Sequence, residues 1–255
     1  MDRDEIAIEF RDVSFALSSG RTLLSHLNLQ VDRGETLVLL GRSGSGKTTT
    51  MRLINRLIDP TAGEVIVNGK PTVDWDPIQL RRRIGYVIQE IGLFPHLTIE
   101  QNIGVVPRLE GWEPERIRLR ARQLLTLIGL DADRFADRYP RELSGGQRQR
   151  IGVARALAAD PPVILLDEPF GALDPITRRD IQQEFKNLQQ ELGKTMVFVT
   201  HDIAEAFVLG NRIGLLKDGE MVLLGAPADL LESNHPEARA FAGCFNDGQA
   251  IGSPA

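Results

Sequence analysis

Hydrophobic positions follow two different spacings along this chain, and the spacings separate strands from helices. Apolar and polar residues alternate over residues 6–10 and 27–31, which predicts strands with one buried face. Residues 36–40 and 161–166 are nearly continuous apolar runs, typical of strands covered on both faces. Residues 195–200 form a further apolar run of this kind. The chain is therefore expected to contain both half-buried and fully buried strands.

Helical spacing dominates the middle of the chain, from about Gln89 to Asp160. The apolar residues that share one predicted helical face there are Ile117, Ala121, Leu124, Leu125 and Ile128. The residues that mark a later helix, which Gly193 ends, are Ile181, Phe185, Leu188 and Leu192. A shorter helix is predicted over residues 48–57, and a hairpin over residues 64–69 with Asn68-Gly69 at its turn.

Strands and helices that alternate in this way predict an α/β fold with a mostly parallel sheet and helices on both faces. Antiparallel strands are expected beside the first strand–helix unit, and a helical subdomain is expected to be inserted at about residues 89–160. Residues 246–255 are polar and are expected to form a flexible tail.

Composition narrows the classes of function. The chain has 255 residues, of which 42% are hydrophobic, and a net charge of −5, so a general affinity for nucleic acid is not expected. The arginines crowded at positions 116, 118, 120 and 122 are interpreted as a solvated helix face. One cysteine, Cys244, allows no disulfide within the chain. Neither a signal peptide nor an apolar run of membrane-spanning length is present, so membrane association is expected through a partner.

The segment Gly41–Thr48, GRSGSGKT, follows the buried strand at residues 36–40 and meets the spacing of a phosphate-binding loop. Glycines allow the backbone amides to approach phosphates, and the helix that follows adds its positive N-terminal dipole. Lys47 can reach the β- and γ-phosphates, and the Thr48 hydroxyl can bind Mg²⁺. The predicted phosphate-contacting residues are Gly41, Arg42, Ser43, Gly44, Ser45, Gly46, Lys47, Thr48 and Thr49.

Two carboxylates follow the buried strand Val163–Leu166, at the end of a strand where α/β sheets bind ligands. Asp167 can hold Mg²⁺, and Glu168 is placed to polarise an attacking water. A pair of this kind is a weak signal alone and a strong one when it follows a phosphate loop.

The segment Leu143–Gln147, LSGGQ, precedes an apolar helical run. Ser144 is the predicted N-cap, and Gly145 and Gly146 allow close backbone approach. This helix start forms a second anion site. Because one phosphate loop already serves a triphosphate, we interpret the second site as one that contacts the nucleotide of another subunit.

Taken together, these motifs resemble the ATP-binding subunits of ABC transporters, over about residues 6–243. The segments Gly41–Thr48, Val163–Glu168 and Leu143–Gln147 are similar to the Walker A, Walker B and signature motifs of that family. Gln89 fits its Q-loop glutamine, Ala172–Asp174 its D-loop, and His201 its switch histidine. The resemblance implies a P-loop NTPase fold of the ABC-ATPase type, with a RecA-like core, an antiparallel β subdomain and an inserted helical subdomain. It implies a single ABC domain over residues 1–245.

The resemblance also implies a mechanism, in which two identical subunits pair head-to-tail and share two ATP molecules. Each ATP lies between one subunit's Walker A and the other's Ser144, Gly145, Gly146 and Gln147, with Asp174 nearby. Glu168 acts on the water, and Lys47 and His201 stabilise the γ-phosphate. The implied Mg²⁺ ligands are Thr48, Gln89 and Asp167.

The family further implies three kinds of partner or location. Integral-membrane permease subunits contact the Q-loop and helical subdomain, and an extracytoplasmic solute-binding protein belongs to the same system. The subunit is expected to be peripheral, at the cytoplasmic face of the inner membrane.

The adenine contact departs from the family pattern. Members commonly place an aromatic ring there, and Leu17 occupies that position in this chain. Phe15 lies two residues earlier and is expected to share a strand face with it. Either side chain remains a candidate for the adenine platform.

The segments Gln89–Ile103 and Met51–Pro60 are similar in sequence to those of ATPases from glycine betaine, choline, carnitine and proline importers. The CBS regulatory domains that many of those proteins carry are not expected here. Import of polar amino acids or of another small solute is the main alternative. A DNA-repair-type ATPase of this family is a remote one, because the 120 residues between Lys47 and Asp167 contain no sustained heptads.

Overall fold

The computed structural model describes residues 5–89, 92–171 and 173–250, with the backbone alone for residues 246–250. The described residues form two compact units. Those within Met1–Leu80 and Lys194–Ala255 form the first unit, and those within Arg81–Gly193 form the second.

Most of the described strands belong to the first unit. Its strands are β1 (Ile6–Ala16), β2 (Thr22–Asp32), β3 (Thr36–Leu40), β4 (Ala62–Val67), β5 (Lys70–Pro71), β8 (Thr195–Thr200), β9 (Arg212–Lys217) and β10 (Glu220–Gly225). One sheet has the order β2-β1-β4-β5 and is antiparallel. In the other, β8 and β9 both pair with β3 in parallel, and β10 pairs with β9 antiparallel. Buried and more exposed residues alternate along β2, whereas every residue of β3 is buried, so half-buried and fully buried strands are both present.

Four helices belong to this unit: α1 (Lys47–Ile54), α9 (Ile203–Leu209), α10 (Pro227–Glu232) and α11 (Pro236–Ala250). Helix α11 covers the first five residues of the predicted flexible tail, and residues 251–255 lie outside the described residues. Helix α2 (Pro77–Arg82) leads into the second unit.

The second unit is mainly helical. Its strands β6 (Ile84–Val87) and β7 (Val163–Asp167) are parallel, with Val87 opposite Leu166. Its helices are α3 (Ile99–Ile103), α4 (Val105–Leu109), α5 (Pro114–Leu127), α6 (Ala132–Phe135), α7 (Gly145–Leu157) and α8 (Pro175–Leu192). The predicted helical subdomain at about 89–160 lies inside this unit, and its boundaries stay a prediction.

Strands β3 and β8 match their predicted bounds, because polar residues or glycine delimit them, whereas β7 begins two residues later than predicted, after Pro161 and Pro162, and includes Asp167. All residues of β3, β7 and β8 are buried. The predicted apolar face of α5 is also confirmed: Ile117, Ala121, Leu124 and Leu125 are buried.

All four clustered arginines have specific partners on the protein surface, and Arg118 lies 3.8 Å from Glu100 and 3.9 Å from Glu115. Arg116 lies over the Trp112 ring at 3.6 Å, Arg122 pairs with Asp133, and Arg120 donates to the carbonyl of Leu157 at 3.1 Å. Within the described residues, no helix combines the length and apolar character needed to cross a bilayer.

Strand β2 begins earlier than predicted, at Thr22 rather than at Leu27, and two further bounds were wrong for identifiable reasons. Strand β1 continues beyond Phe10 to Ala16, because a bulge between Phe10 and Val13, with Asp12 at φ 50°, absorbs the break in alternation. Helix α1 ends at Ile54 rather than at Leu57, because Arg56 adopts a left-handed conformation with φ 50°.

Candidate functional site

The phosphate loop, residues 41–48, joins the buried strand β3 to helix α1 in a path that requires glycine. Gly46 precedes α1 with φ 107°, and a Cβ there would lie 2.6 Å from Leu24 Cδ2 and 3.0 Å from the Leu23 carbonyl oxygen. At Gly41 a Cβ would lie 2.4 Å from the Leu216 carbonyl oxygen. The neighbouring backbone therefore leaves no room for a side chain at either position.

Lys47 is the cation of this loop. Its Nζ donates to the carbonyl oxygens of Gly41 and Arg42, each at 2.8 Å, and the residue is 5% exposed. The ammonium group therefore donates to neutral carbonyl acceptors, which a phosphate oxygen can replace.

The rest of the loop supplies donors for an anion. Ser45 Oγ is buried and has no hydrogen-bond partner among the described residues. No side chain caps the N-terminus of α1, whose first turn carries the half-buried Thr48 and Thr49. Ser43 and Gly44 are exposed. An orphan hydroxyl, a lysine and a helix start without a side-chain cap fit the phosphates of a nucleotide.

His201 lies directly after β8, beside the loop. Thr200 is opposite Leu40 in the parallel pair of β8 and β3, so His201 and Gly41 leave adjacent strands at the same edge of the sheet. Thr200 Oγ1 donates to Glu205 Oε2 at 2.5 Å and accepts from the Asp202 amide at 2.9 Å. Hydrogen bonds on both sides therefore fix the backbone that carries His201.

Sequence reasoning missed Glu205, which is 3% exposed. Its burial follows from packing, which the sequence alone does not show, and a buried carboxylate needs a specific partner.

In the second unit, Gln89 and Glu168 meet where β6 and β7 end. Gln89 Nε2 donates to Glu168 Oε2 at 3.2 Å. Glu168 has φ 45°, which is uncommon for a residue with a side chain, while the preceding Asp167 is 7% exposed. Strained backbone of this kind is frequent where a side chain must be aimed into a functional site.

The signature segment, residues 143–147, forms the start of α7 as predicted. Ser144 Oγ accepts from the Gln147 amide at 3.2 Å, and Gln147 Oε1 accepts from the Ser144 amide at 3.0 Å. Both residues of this capping box have side chains that reach the surface. A Cβ at Gly146 would lie 2.9 Å from Ile181 Cδ1, so this glycine allows α7 to pack closely on α8.

The predicted D-loop lies beside the signature segment. Leu173 Cδ2 would be 3.7 Å from a Cβ at Gly145, and Asp174 caps α8 by accepting from the Thr177 amide at 3.1 Å. Hydrogen bonds from the Thr177 hydroxyl and amide lower the pKa of Asp174 below its usual value. Ala172, also predicted for this loop, lies outside the described residues.

The predicted metal ligands are oxygen donors: the Thr48 hydroxyl, the Gln89 amide and the Asp167 carboxylate. Within the described residues no group of three or more His, Cys, Asp or Glu side chains could hold a metal ion. That donor set fits Mg²⁺, which proteins hold through one or two side chains together with phosphate oxygens and water.

The expectation that Phe15 and Leu17 share a strand face was wrong. Strand β1 ends at Ala16, and Leu17 belongs to a turn in which its amide donates to the Arg21 carbonyl at 2.9 Å. Leu17 is 42% exposed, whereas Phe15 is half-buried on β1 opposite Leu24. Irregular register around Phe15 breaks the simple alternation of faces.

Within each unit the predicted residues lie close together. The first unit gathers the phosphate loop and His201, and the second gathers Gln89 with Asp167 and Glu168 and places the signature segment beside Asp174. A glycine loop around a buried lysine, with an Asp-Glu pair after a second buried strand, defines the class of P-loop nucleoside triphosphatases.

The profile described as ABC transporter matches residues 24–171, so the chain belongs to the ABC transporter family and has its ATPase fold. It is 54% identical over 226 residues to the choline transport ATP-binding protein OpuBA of Bacillus subtilis. The matched segment covers 89% of this chain and 59% of that relative. It is 52% identical to the osmoprotectant import ATP-binding protein OsmV of Salmonella typhimurium, covering 94% of this chain and 63% of the relative. The chain thus spans about three-fifths of the length of these relatives.

A solved structure of the ATP-binding cassette MJ0796, dimeric and bound to ADP and Pi, is similar with a TM-score of 0.76 and 39% identity. The similarity covers 86% of this chain and 98% of that one.

Proposed function

We propose that this chain is the ATP-binding and ATP-hydrolysing subunit of an ABC importer for glycine betaine, choline and related osmoprotectants. The ATPase part of this proposal is carried by the phosphate loop, in which the buried Lys47 and the Ser45 hydroxyl can donate hydrogen bonds to an anion. The solute is supported by relatives named for choline transport and osmoprotectant import.

Nucleotide binding begins at the phosphate loop. When phosphates enter, Lys47 exchanges two carbonyl acceptors for charged oxygens, which form stronger hydrogen bonds. The α1 N-terminus and Ser45 Oγ complete the cradle. Mg²⁺, when bound, neutralises charge on the β- and γ-phosphates, and the residues proposed to hold it are Thr48, Gln89 and Asp167.

Hydrolysis requires a group that polarises water, and we assign this role to Glu168. Gln89 holds one oxygen of this carboxylate. Loss of this hydrogen bond would free that oxygen to accept a proton from the attacking water. His201, fixed by the Thr200 contacts on either side of its backbone, is assigned to the γ-phosphate.

The signature segment is assigned to the nucleotide of a second, identical subunit. Ser144 is exposed and Gly145 and Gln147 are half-buried, so an anion that another chain presents can reach the segment. The dimeric relative with ADP and Pi supports this arrangement. ATP binding would close such a dimer and hydrolysis would open it.

The remaining partners follow from an importer of this type. We propose that permease subunits contact the Gln89 region and the helical subdomain, and that a solute-binding protein delivers the solute. The chain would then be peripheral, at the cytoplasmic face of the membrane. The longest helix between β6 and β7 in the described residues is α5, of 14 residues, which is short for the long coiled coil of the DNA-repair class.

Uptake of labelled solutes tests the proposal. The chain is produced together with candidate permease and solute-binding subunits from the same genome, in a host that lacks osmoprotectant uptake, and Glu168→Gln serves as the inactive control. Uptake of glycine betaine or choline by the wild type, and not by the variant, is expected. Uptake of glutamine alone would assign the chain to polar amino-acid import, and ATP hydrolysis equal in both proteins would overturn the role of Glu168.

A further inference from the structure

Helix α11 contacts the phosphate loop through one ion pair. Arg42 Nε donates to Glu237 Oε1 at 2.5 Å, although 195 residues separate them in sequence. The Arg42 side chain is 70% exposed and the Glu237 side chain only 9%. The hydrogen bond and the charge of Glu237 raise the pKa of Arg42 above its ordinary value.

The backbone of Arg42 is an anchor for the loop. Its carbonyl oxygen accepts from Lys47 Nζ at 2.8 Å and from the Ser45 amide at 3.2 Å. The backbone of Arg42 thus contacts Lys47 and Ser45 in the loop, and its side chain contacts helix α11.

Helix α11 is itself firmly packed at this end. Ala238 is fully buried, and the Glu237 amide donates to His235 Nδ1 at 3.2 Å. Farther along, the ring of Phe245 stacks on that of Phe207 with centroids 4.6 Å apart. A buried carboxylate is costly without a partner, and Arg42 is the side chain that compensates Glu237 here.

We propose that Glu237 is a positioning residue for the phosphate loop, through which the packing of helix α11 and the binding of nucleotide influence each other. The proposal rests on the assignment of the loop to ATP. Linkage requires the influence to run both ways: an ordered α11 favours nucleotide binding, and bound nucleotide favours an ordered α11.

The first measurement is nucleotide affinity, by calorimetric titration of the purified chain with Mg-ADP. Glu237→Gln keeps the shape of the side chain and removes its charge, so binding is expected to weaken about five-fold or more. Glu237→Asp keeps the charge but shortens the reach, and an intermediate loss is expected. The matched control is Glu232→Gln, the same substitution at an exposed position five residues earlier, and no change is expected.

The second measurement is amide hydrogen exchange in α11, with and without Mg-ADP. In the wild type, nucleotide is expected to slow exchange over residues 237–242, and in Glu237→Gln this slowing should vanish. A residue important only for folding would lower the melting temperature without removing a nucleotide-dependent difference. The wild-type comparison stands even if a variant does not fold.

The outcomes separate this inference from the proposed function. Absence of Mg-ADP and Mg-ATP binding by the wild type would overturn the proposed function itself. Normal binding, with unchanged exchange in α11 and equal affinity for Glu237→Gln and Glu232→Gln, would overturn only the role of Glu237.

Discussion

The phosphate loop and the signature segment both place glycines at the start of a helix, but they satisfy that helix end differently. At the phosphate loop, Gly46 offers no side chain to cap α1, and Lys47 rests on two carbonyl groups. At the signature segment, Ser144 and Gln147 cap each other's amides and complete α7 without help. The first helix start therefore has no side-chain cap, whereas the second has a reciprocal pair of caps.

This difference is consistent with the two roles proposed for them. A loop that binds nucleotide within its own chain gains by leaving donors available until the phosphates arrive. A segment that meets the nucleotide of a partner only on dimer closure must keep its shape while it is exposed to water. Self-capping provides that shape, because both capping hydrogen bonds are local.

Lys47→Ala is the strongest test of the ligand-dependent loop. Loss of a buried charge contact to phosphate is expected to cost roughly 2–5 kcal/mol of nucleotide affinity, and turnover should cease with it. Calorimetric titration with Mg-ADP and a phosphate-release assay measure the two effects. Lys70→Ala, which removes an exposed lysine from the same unit, is the control and should bind normally. Equal affinity in both variants would contradict the assignment of Lys47.

Gly46→Ala tests whether the shape of the loop matters as much as its charge. The left-handed backbone alone costs about 1–2 kcal/mol with a side chain present, and the contact with Leu24 adds to it. Both the free energy of unfolding and nucleotide affinity should therefore fall. Gly44→Ala is the matched control, since its φ is also positive at 81° but nothing lies within 4 Å of its Cβ. It separates strain from the clash and should show the smaller loss.

Gly146→Ala applies the same test to the signature segment. The new methyl group would meet Ile181 Cδ1 at 2.9 Å and Thr177 Cγ2 at 3.2 Å, which pushes α7 away from α8. Overpacking of this kind costs about 1–3 kcal/mol, measured by urea unfolding. Gly145→Ala should cost less, because its Cβ would make only an ordinary contact with Leu173 at 3.7 Å. Equal losses would show that the spacing of α7 and α8 is not set at Gly146.

Local patterns predicted a large part of both regions. Continuous apolar runs predicted strands β3 and β8. The serine directly before an apolar helical run predicted the N-cap at Ser144. Such features depend on neighbours a few residues away, so a single sequence reveals them.

Other features depend on distant parts of the chain. The bulge in β1 is set by pairing with β2 and β4, and no local sequence pattern predicts it. The Arg42–Glu237 pair joins residues 195 positions apart. The Thr200–Glu205 bond joins close neighbours, but its importance follows from the burial of both side chains, which sequence does not state.

Ser144→Ala has the smallest expected effect and addresses the self-capped helix directly. Loss of the hydroxyl leaves the Gln147 amide without its cap, which is expected to cost about 1 kcal/mol of folding stability. The loss should be local, so amide exchange at Gln147 should accelerate while exchange in α1 stays unchanged. Ser144→Asp, which keeps an N-cap acceptor, should restore slow exchange at Gln147. If alanine and aspartate behave alike, the signature segment does not hold its shape by capping, and the contrast with the phosphate loop fails.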